Sequence, residues 1–163
     1  MKAWMKYPLA IGVFCLILGG LATFTRFSVC LTKSLDGVNY ILILKRDFPF
    51  QHPIIRGDIV SIIGHTPQYV GLVPGKHIFA KRVLGLPGDS IVRGRNSIRV
   101  GALSLPLLTE TKEGQPLTPL TLNVVPEGYL FVAGSHPRSF DSRYEEFGLV
   151  SLDHIWGKGV LVW

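Results

Sequence analysis

The stretch HIFAKRVLGLPGD, His77–Asp89, decides the fold. Its β-branched and aromatic residues form a short apolar run, and Pro87 and Gly88 stand where a type II turn requires them, so it reads as a strand ending in a turn. In a strand successive side chains point to opposite faces, so Phe79, Lys81 and Val83 share one face while Ile78, Ala80, Arg82 and Leu84 share the other. One cation must therefore look at apolar neighbours. Two readings of Lys81 are open. On an edge strand it snorkels to water with its stem over Phe79. Inside the sheet it is a desolvated amine, which a protein keeps only for a purpose.

On either side, NYILIL, DIVSIIG, DSIVRG, SIRVG, GYLFVAG and GVLVW repeat the pattern. Each is rich in Val, Ile and Leu and is bounded by Gly, Pro, Asp or Asn, which marks strands joined by turns. No stretch after residue 30 carries a long amphipathic helix, so the expected fold is mainly β, built from antiparallel sheets. Residues 101–126, with four prolines, are expected to form an irregular excursion or loose hairpin. There is no internal repeat and no low-complexity tract.

The 163 residues suit one domain with a real core. Net charge is 17 − 11 = +6, but the cations are scattered rather than interleaved with aromatics in a stripe. That pattern argues against nucleic acid and for anionic lipid as the surface met by the charge. Between Lys6 and Arg26 lie nineteen uncharged residues, YPLAIGVFCLILGGLATFT, which as a helix span roughly 28 Å, close to the hydrocarbon thickness of a bilayer. Lys2 and Lys6 precede it and Trp4 and Tyr7 suit the interface, so the N-terminus is expected inside and the remainder exported. A cleaved signal peptide, with the small residues of GGLA as its processing site, is the alternative, but the run exceeds an ordinary signal-peptide core. The expected organisation is a single-pass inner-membrane anchor over residues 1–26 and an exported, periplasmic domain over 27–163. Cys15 falls inside the apolar run and Cys30 outside it, so the two are not expected to pair. They also supply no metal set.

Several catalytic signatures are absent: G-x-S-x-G, H-E-x-x-H, a P-loop and C-x-x-C. His52, His65, His77, His136 and His154 are scattered and read as surface or loop residues. No cofactor or metal is implied. The lysine remains. An amine brought below its ordinary pKa by an apolar site can take a proton from a serine hydroxyl.

FAKRVLGLPGDSI resembles the lysine-bearing box of type I signal peptidases; RGDIVSI, SFDSRYEEFGLV and HIWGKGVLVW are similar to further boxes of that family, in the same order. The resemblance implies a signal-peptidase-like antiparallel catalytic domain behind one transmembrane helix. It implies a serine endopeptidase with a Ser/Lys dyad that cleaves leader peptides from exported precursors. The nucleophile box corresponds to TKSLDG, Thr32–Gly37, with Ser34 as nucleophile, Leu35 in place of the usual methionine and Asp36–Gly37 where proline is expected. Ser28 is the nearest competitor. By the same resemblance Lys81 is the general base, the Ser34 backbone N–H and the Thr32 hydroxyl form the oxyanion hole, and Ser139 holds the amine in line. Asp141 and Arg143 are expected to be a structural pair beside the site.

Short length and the wording SFDSRY look most like the TraF-type peptidases of conjugative transfer, which implies a pilin substrate and a joining of its new terminus to an amine. Two other classes compete: a non-catalytic, membrane-anchored assembly factor of a pilus or secretion complex, and a self-cleaving serine-lysine peptidase. Neither oligomeric state nor substrate identity follows from the sequence.

Overall fold

The computed structural model describes residues 20, 27–31, 35, 40–45, 53–65, 67 and 78–162. The expected anchor, apart from Gly20, and the expected Thr32 and Ser34 lie outside the described residues. Among the described residues no helix is long and apolar enough to cross a membrane.

The described chain folds as two antiparallel sheets. The larger draws on β1 (Phe27–Leu31), β2 (Tyr40–Lys45), β3 (Ile59–Ile63), β4 (Ile78–Gly85), β8 (Tyr129–Ala133), β9 (Val150–Ser151) and β10 (Ile155–Val162). Its order is β1-β2-β10-β3-β4-β8-β9. The smaller joins β5 (Ile91–Arg93), β6 (Ser97–Val100) and β7 (Leu103–Pro106) in sequence order. A 3-10 turn, Leu152–His154, interrupts the strands near the end.

The expected strands all form, most with ends shifted by one or two residues, while the strand expected at GVLVW begins four residues earlier, at Ile155. Three more were not expected: β1, β7 and the two-residue β9. The proline-rich excursion begins as β7, paired to β6, and runs on irregularly, held by the bridges Glu110↔Pro116, Pro119↔Tyr144 and Ser90↔Val124.

Alternation along β4 sorts the core. Val83 packs with Val60, Ile62, Val132 and Phe147 on one face, with Phe79 alongside. Ala80 packs with Ile41, Ile43 and Ile59 on the other. A third cluster, Leu84, Ile98, Val100, Val125 and Phe131, joins the two sheets. Leu84 reaches it by alternation, on the face opposite Val83, and the register between β4 and β8 shifts between Val83 and Gly85. A Cβ at Gly85 would meet Phe131 Cβ and Val100 Cγ1 at 2.8 Å each, so only glycine lets the sheets close here.

The turn after β4 forms as the sequence implies. Gly88 has φ +87, the value a type II turn demands at its third residue. The Asp89 carboxylate accepts the Leu86 N–H at 2.6 Å and is bound by Arg56. Asp58 caps its own turn through the Ile55 N–H at 2.9 Å and also pairs with Lys158. Arg82, on the face away from Lys81, donates to the Gly57 carbonyl at 2.8 Å and so ties the turn that opens β3.

Candidate active site

Lys81 is in the interior of the sheet. β4 lies between β3 and β8, Lys81 stands opposite Val60, and its residue is 3% exposed. The snorkelling alternative is thereby excluded. Its Nζ donates to Ser139 Oγ at 2.7 Å and lies 5.9 Å from the centre of the Phe147 ring. Burial pushes its pKa down to about 8; Asp141 opposes that shift and Arg143 adds to it. An aromatic face attracts a cation, yet the net direction is downward, so desolvation dominates.

Ser139 is placed by the segment that follows it. Its N–H donates to the His136 carbonyl at 2.9 Å, closing a turn. Its own carbonyl accepts Arg143 Nη2 at 2.7 Å. Arg143 meets Asp141 twice, Nε to Oδ1 at 2.8 Å and Nη2 to Oδ2 at 3.0 Å, and reaches the Pro106 carbonyl with Nη1 at 2.9 Å. Burial works against the Arg143 charge, but the Asp141 carboxylate outweighs it and holds the guanidinium above its ordinary pKa. Asp141 also accepts the Gly134 N–H, and Ser142 exchanges two hydrogen bonds with Val132. Asp141, Ser142 and Arg143 are buried. Asp141 and Arg143 thus form a buried ion pair whose guanidinium also holds the Ser139 carbonyl.

Four further residues were not foreseen. Tyr144 is buried and its hydroxyl accepts the Leu108 N–H at 3.0 Å. The Glu146 carboxylate accepts the Thr118 N–H at 3.0 Å from each oxygen. Glu145 takes both donors of Thr121. The excursion is thus bound along its length to the run that carries Ser139. Phe147 is the fourth, packed edge-on to Phe79 and Phe140 with centres 6.0 and 5.6 Å away. Its sequence signal was the spacing of Phe140, Tyr144 and Phe147, an aromatic every three or four residues.

The described histidines lie in loops or turns, but two of them come together. His136 is exposed and its Nδ1 accepts the Arg138 N–H, as a loop residue would. His65 and His154 instead face each other, ring centres 6.0 Å apart, and both are half-buried. His65 Nε2 lies 2.7 Å from the Phe147 carbonyl. Burial lowers the His65 pKa, the Phe147 hydrogen bond opposes, and His154 lowers it further. His52 and His77 lie outside the described residues.

The Ser34 and Thr32 positions lie outside the described residues, but their neighbour Leu35 does not. It is 3% exposed and packs in the cluster containing Ile59 and Ala80, the residue before Lys81. The competitor Ser28 sits on β1, with β2, β10 and β3 between it and β4. Four strand spacings amount to roughly 19 Å across a sheet. Among the described residues no group of three or more His, Cys, Asp or Glu gathers to hold a metal.

A buried amine bonded to a serine hydroxyl, on a central strand, suits proton transfer rather than ligand binding. Comparison with known proteins agrees with that chemistry. The sequence profile described as signal peptidase, peptidase S26, matches residues 1–163. A crystal structure of a signal peptidase I from Enterococcus faecalis is similar at 27% identity and a TM-score of 0.44, covering 66% of this chain and 97% of that one. No curated protein gives a significant sequence match. With its whole length matched by that profile, the chain belongs to the peptidase S26 signal peptidase family and is a serine endopeptidase that cleaves signal peptides from precursor proteins.

Proposed function

We propose that Ser34 and Lys81 form the catalytic dyad. The observation that carries this reading is the Lys81 amine: buried, brought down to about pKa 8, and hydrogen-bonded to Ser139 at 2.7 Å. Neutral Lys81 donates one N–H to Ser139 and turns its lone pair to the Ser34 hydroxyl. Ser34 Oγ attacks the scissile carbonyl as its proton passes to Nζ. The Ser34 N–H and the Thr32 hydroxyl receive the developing oxyanion, a contribution typically worth about a hundredfold to a thousandfold in rate per donor. The ammonium then protonates the leaving amine, and water, its proton taken by Lys81, opens the acyl-enzyme. The burial of Leu35 against Ala80 supports this reading, since it ties the residue after Ser34 to the strand bearing Lys81. Ser139 and the Asp141–Arg143 pair hold the amine in line.

Residues 1–26 serve as a membrane anchor with the catalytic domain on the periplasmic side, supported by nineteen uncharged residues flanked by Lys6 and Arg26. The substrate is the precursor of a pilin of a conjugative transfer system, supported by the resemblance of SFDSRY to the TraF-type wording. The acyl-enzyme can then pass to water or to the pilin's own amine.

Ser34→Ala and Lys81→Ala should each abolish cleavage of a co-expressed precursor while leaving the near-UV circular dichroism of the domain unchanged. Activity surviving either change would sink the dyad. Mass spectrometry of the processed pilin reads the second point: a cyclic product is lighter than the hydrolysed one by one water.

A further inference from the structure

The Ser/Lys reading accounts for Lys81, Ser139, Asp141 and Arg143, but not for His65. This residue follows β3, after Gly64, whose φ of +74 turns the chain away from the strand. Its Nε2 is 2.7 Å from the Phe147 carbonyl. A carbonyl only accepts, so Nε2 carries the hydrogen and donates it. The two rings also pack, with centres 4.7 Å apart. His65 therefore grips Phe147 by both main chain and side chain.

Phe147 in turn is 3% exposed and faces the Lys81 amine. Phe79 and Phe140 pack edge-on to it, and Glu146 anchors the preceding residue to Thr118. The Tyr144 carbonyl accepts the Phe147 N–H at 3.2 Å, so removing the grip of His65 frees the carbonyl side of Phe147 and the ring face on which His65 packs. His154 packs on His65 through its ring, with its Nδ1 buried and without a partner. Nothing in that contact bonds Phe147.

We propose that His65 is a positioning residue of the peptidase, latching Phe147 over the Lys81 amine so that its ring closes the pocket against water. The proposal rests on Lys81 being the base of the reaction. Its physical consequence follows from desolvation being the first cause of the lowered Lys81 pKa. When the wall opens, water reaches the amine and the protonated form regains hydration. The loss of the aromatic face pulls the other way, but it is the smaller effect, because the intact ring already coexists with a lowered pKa.

The test is the pH dependence of kcat/KM for the full-length chain in detergent, with an internally quenched peptide containing an Ala-x-Ala cut. The wild type should lose activity as pH falls through about 8. His65→Ala and Phe147→Ala should move that acid limb upward by about one pH unit, which near pH 7 is roughly a tenfold loss that recovers at high pH. His65→Gln, which keeps a donor of similar reach, should hold the limb near the wild-type position. A change in folded fraction lowers activity at every pH and leaves the limb where it was. A limb that stays near pH 8 in His65→Ala overturns the latch, and one that stays there in Phe147→Ala overturns the wall. Should Phe147→Ala not fold, the half-buried His65 variants carry the test alone. Lys81→Ala separates the two readings: if it stays active, the dyad has failed, whereas an inactive Lys81→Ala beside an unmoved His65→Ala limb means that only the latch has failed.

Discussion

Lys81 enters the fold at a free-energy disadvantage, because a side chain protonated in the unfolded chain must give up either its proton or its hydration to reach a site 3% exposed. With a folded pKa of about 8 against an ordinary 10.5, the difference corresponds to about 3 kcal/mol. The folded state holds the proton less tightly, so between pH 8 and 10.5 the unfolded chain binds more protons and stability rises with pH. The penalty is fully present below pH 8 and gone above 10.5. Lys81→Met should accordingly be inactive yet more stable at pH 7, by about 1–3 kcal/mol, with the advantage vanishing as pH approaches 10.5. Urea titrations of both proteins at pH 7 and 10.5 check this; a variant less stable than the wild type at pH 7 would contradict it. Strand parity in HIFAKRVLG had already set Lys81 beside Phe79 and Val83 and apart from Arg82. Alternation cannot say whether a strand is central or at an edge, because that depends on which other strands pair with it. For the same reason His65 and His154, eighty-nine positions apart by subtraction of their numbers, read singly as loop residues and became a pair only through the fold.

Among the elements, β10 connects the part of the large sheet near the chain start to the part bearing Lys81, since it pairs β2 on one side and β3 on the other. Its register slips on both sides, between Gly159 and Leu161 against β2 and between Ile155 and Gly157 against β3. Glycine is required where the strands crowd: a Cβ at Gly157 would fall 2.5 Å from both Ile43 Cγ2 and the Leu44 carbonyl oxygen. A side chain can rotate aside, but the carbonyl belongs to β2 and can move only by disturbing the pairing. Gly157→Ala should therefore lower stability by about 2 kcal/mol or more, read as a lower denaturation midpoint; an unchanged midpoint would show that β2 and β10 yield at no expense. HIWGKGVLVW was legible as a closing strand, but its two-sided pairing was not. The strands that escaped reading share a cause. LSLP and the pair Val150–Ser151 are too short to show a period, and LSLP lies within the proline-rich excursion. FSVCL follows the uncharged run with only Arg26 between, and the continuous hydrophobicity of that run hides the alternation.

For the whole molecule, the proposed anchor and the proposed nucleophile are close along the chain. The uncharged run ends at Thr25 and Ser34 follows nine positions later, 34 − 25 = 9, a distance that even fully extended chain covers in roughly 30 Å. Five of the nine positions are β1, an edge strand of the large sheet, so the sheet itself must stand next to the bilayer if residues 1–26 span it. A tether this short raises the concentration of the catalytic domain near membrane-held precursors without adding any contact. It offers nothing to a peptide free in solution. Deleting residues 1–26 should therefore leave kcat/KM on a soluble quenched peptide within about twofold, while processing of a precursor inserted in liposomes falls by about a hundredfold, within the range expected for loss of a local-concentration effect. The ratio of the two rates is the quantity to measure, because damage to the domain lowers both together and leaves the ratio unchanged. Equal losses on the two substrates would mean that the uncharged segment serves the fold and not the encounter. A net charge of +6 adds a dependence of its own: if the cations meet anionic lipid, the liposome rate of the intact chain should fall as ionic strength rises and the soluble-peptide rate should not.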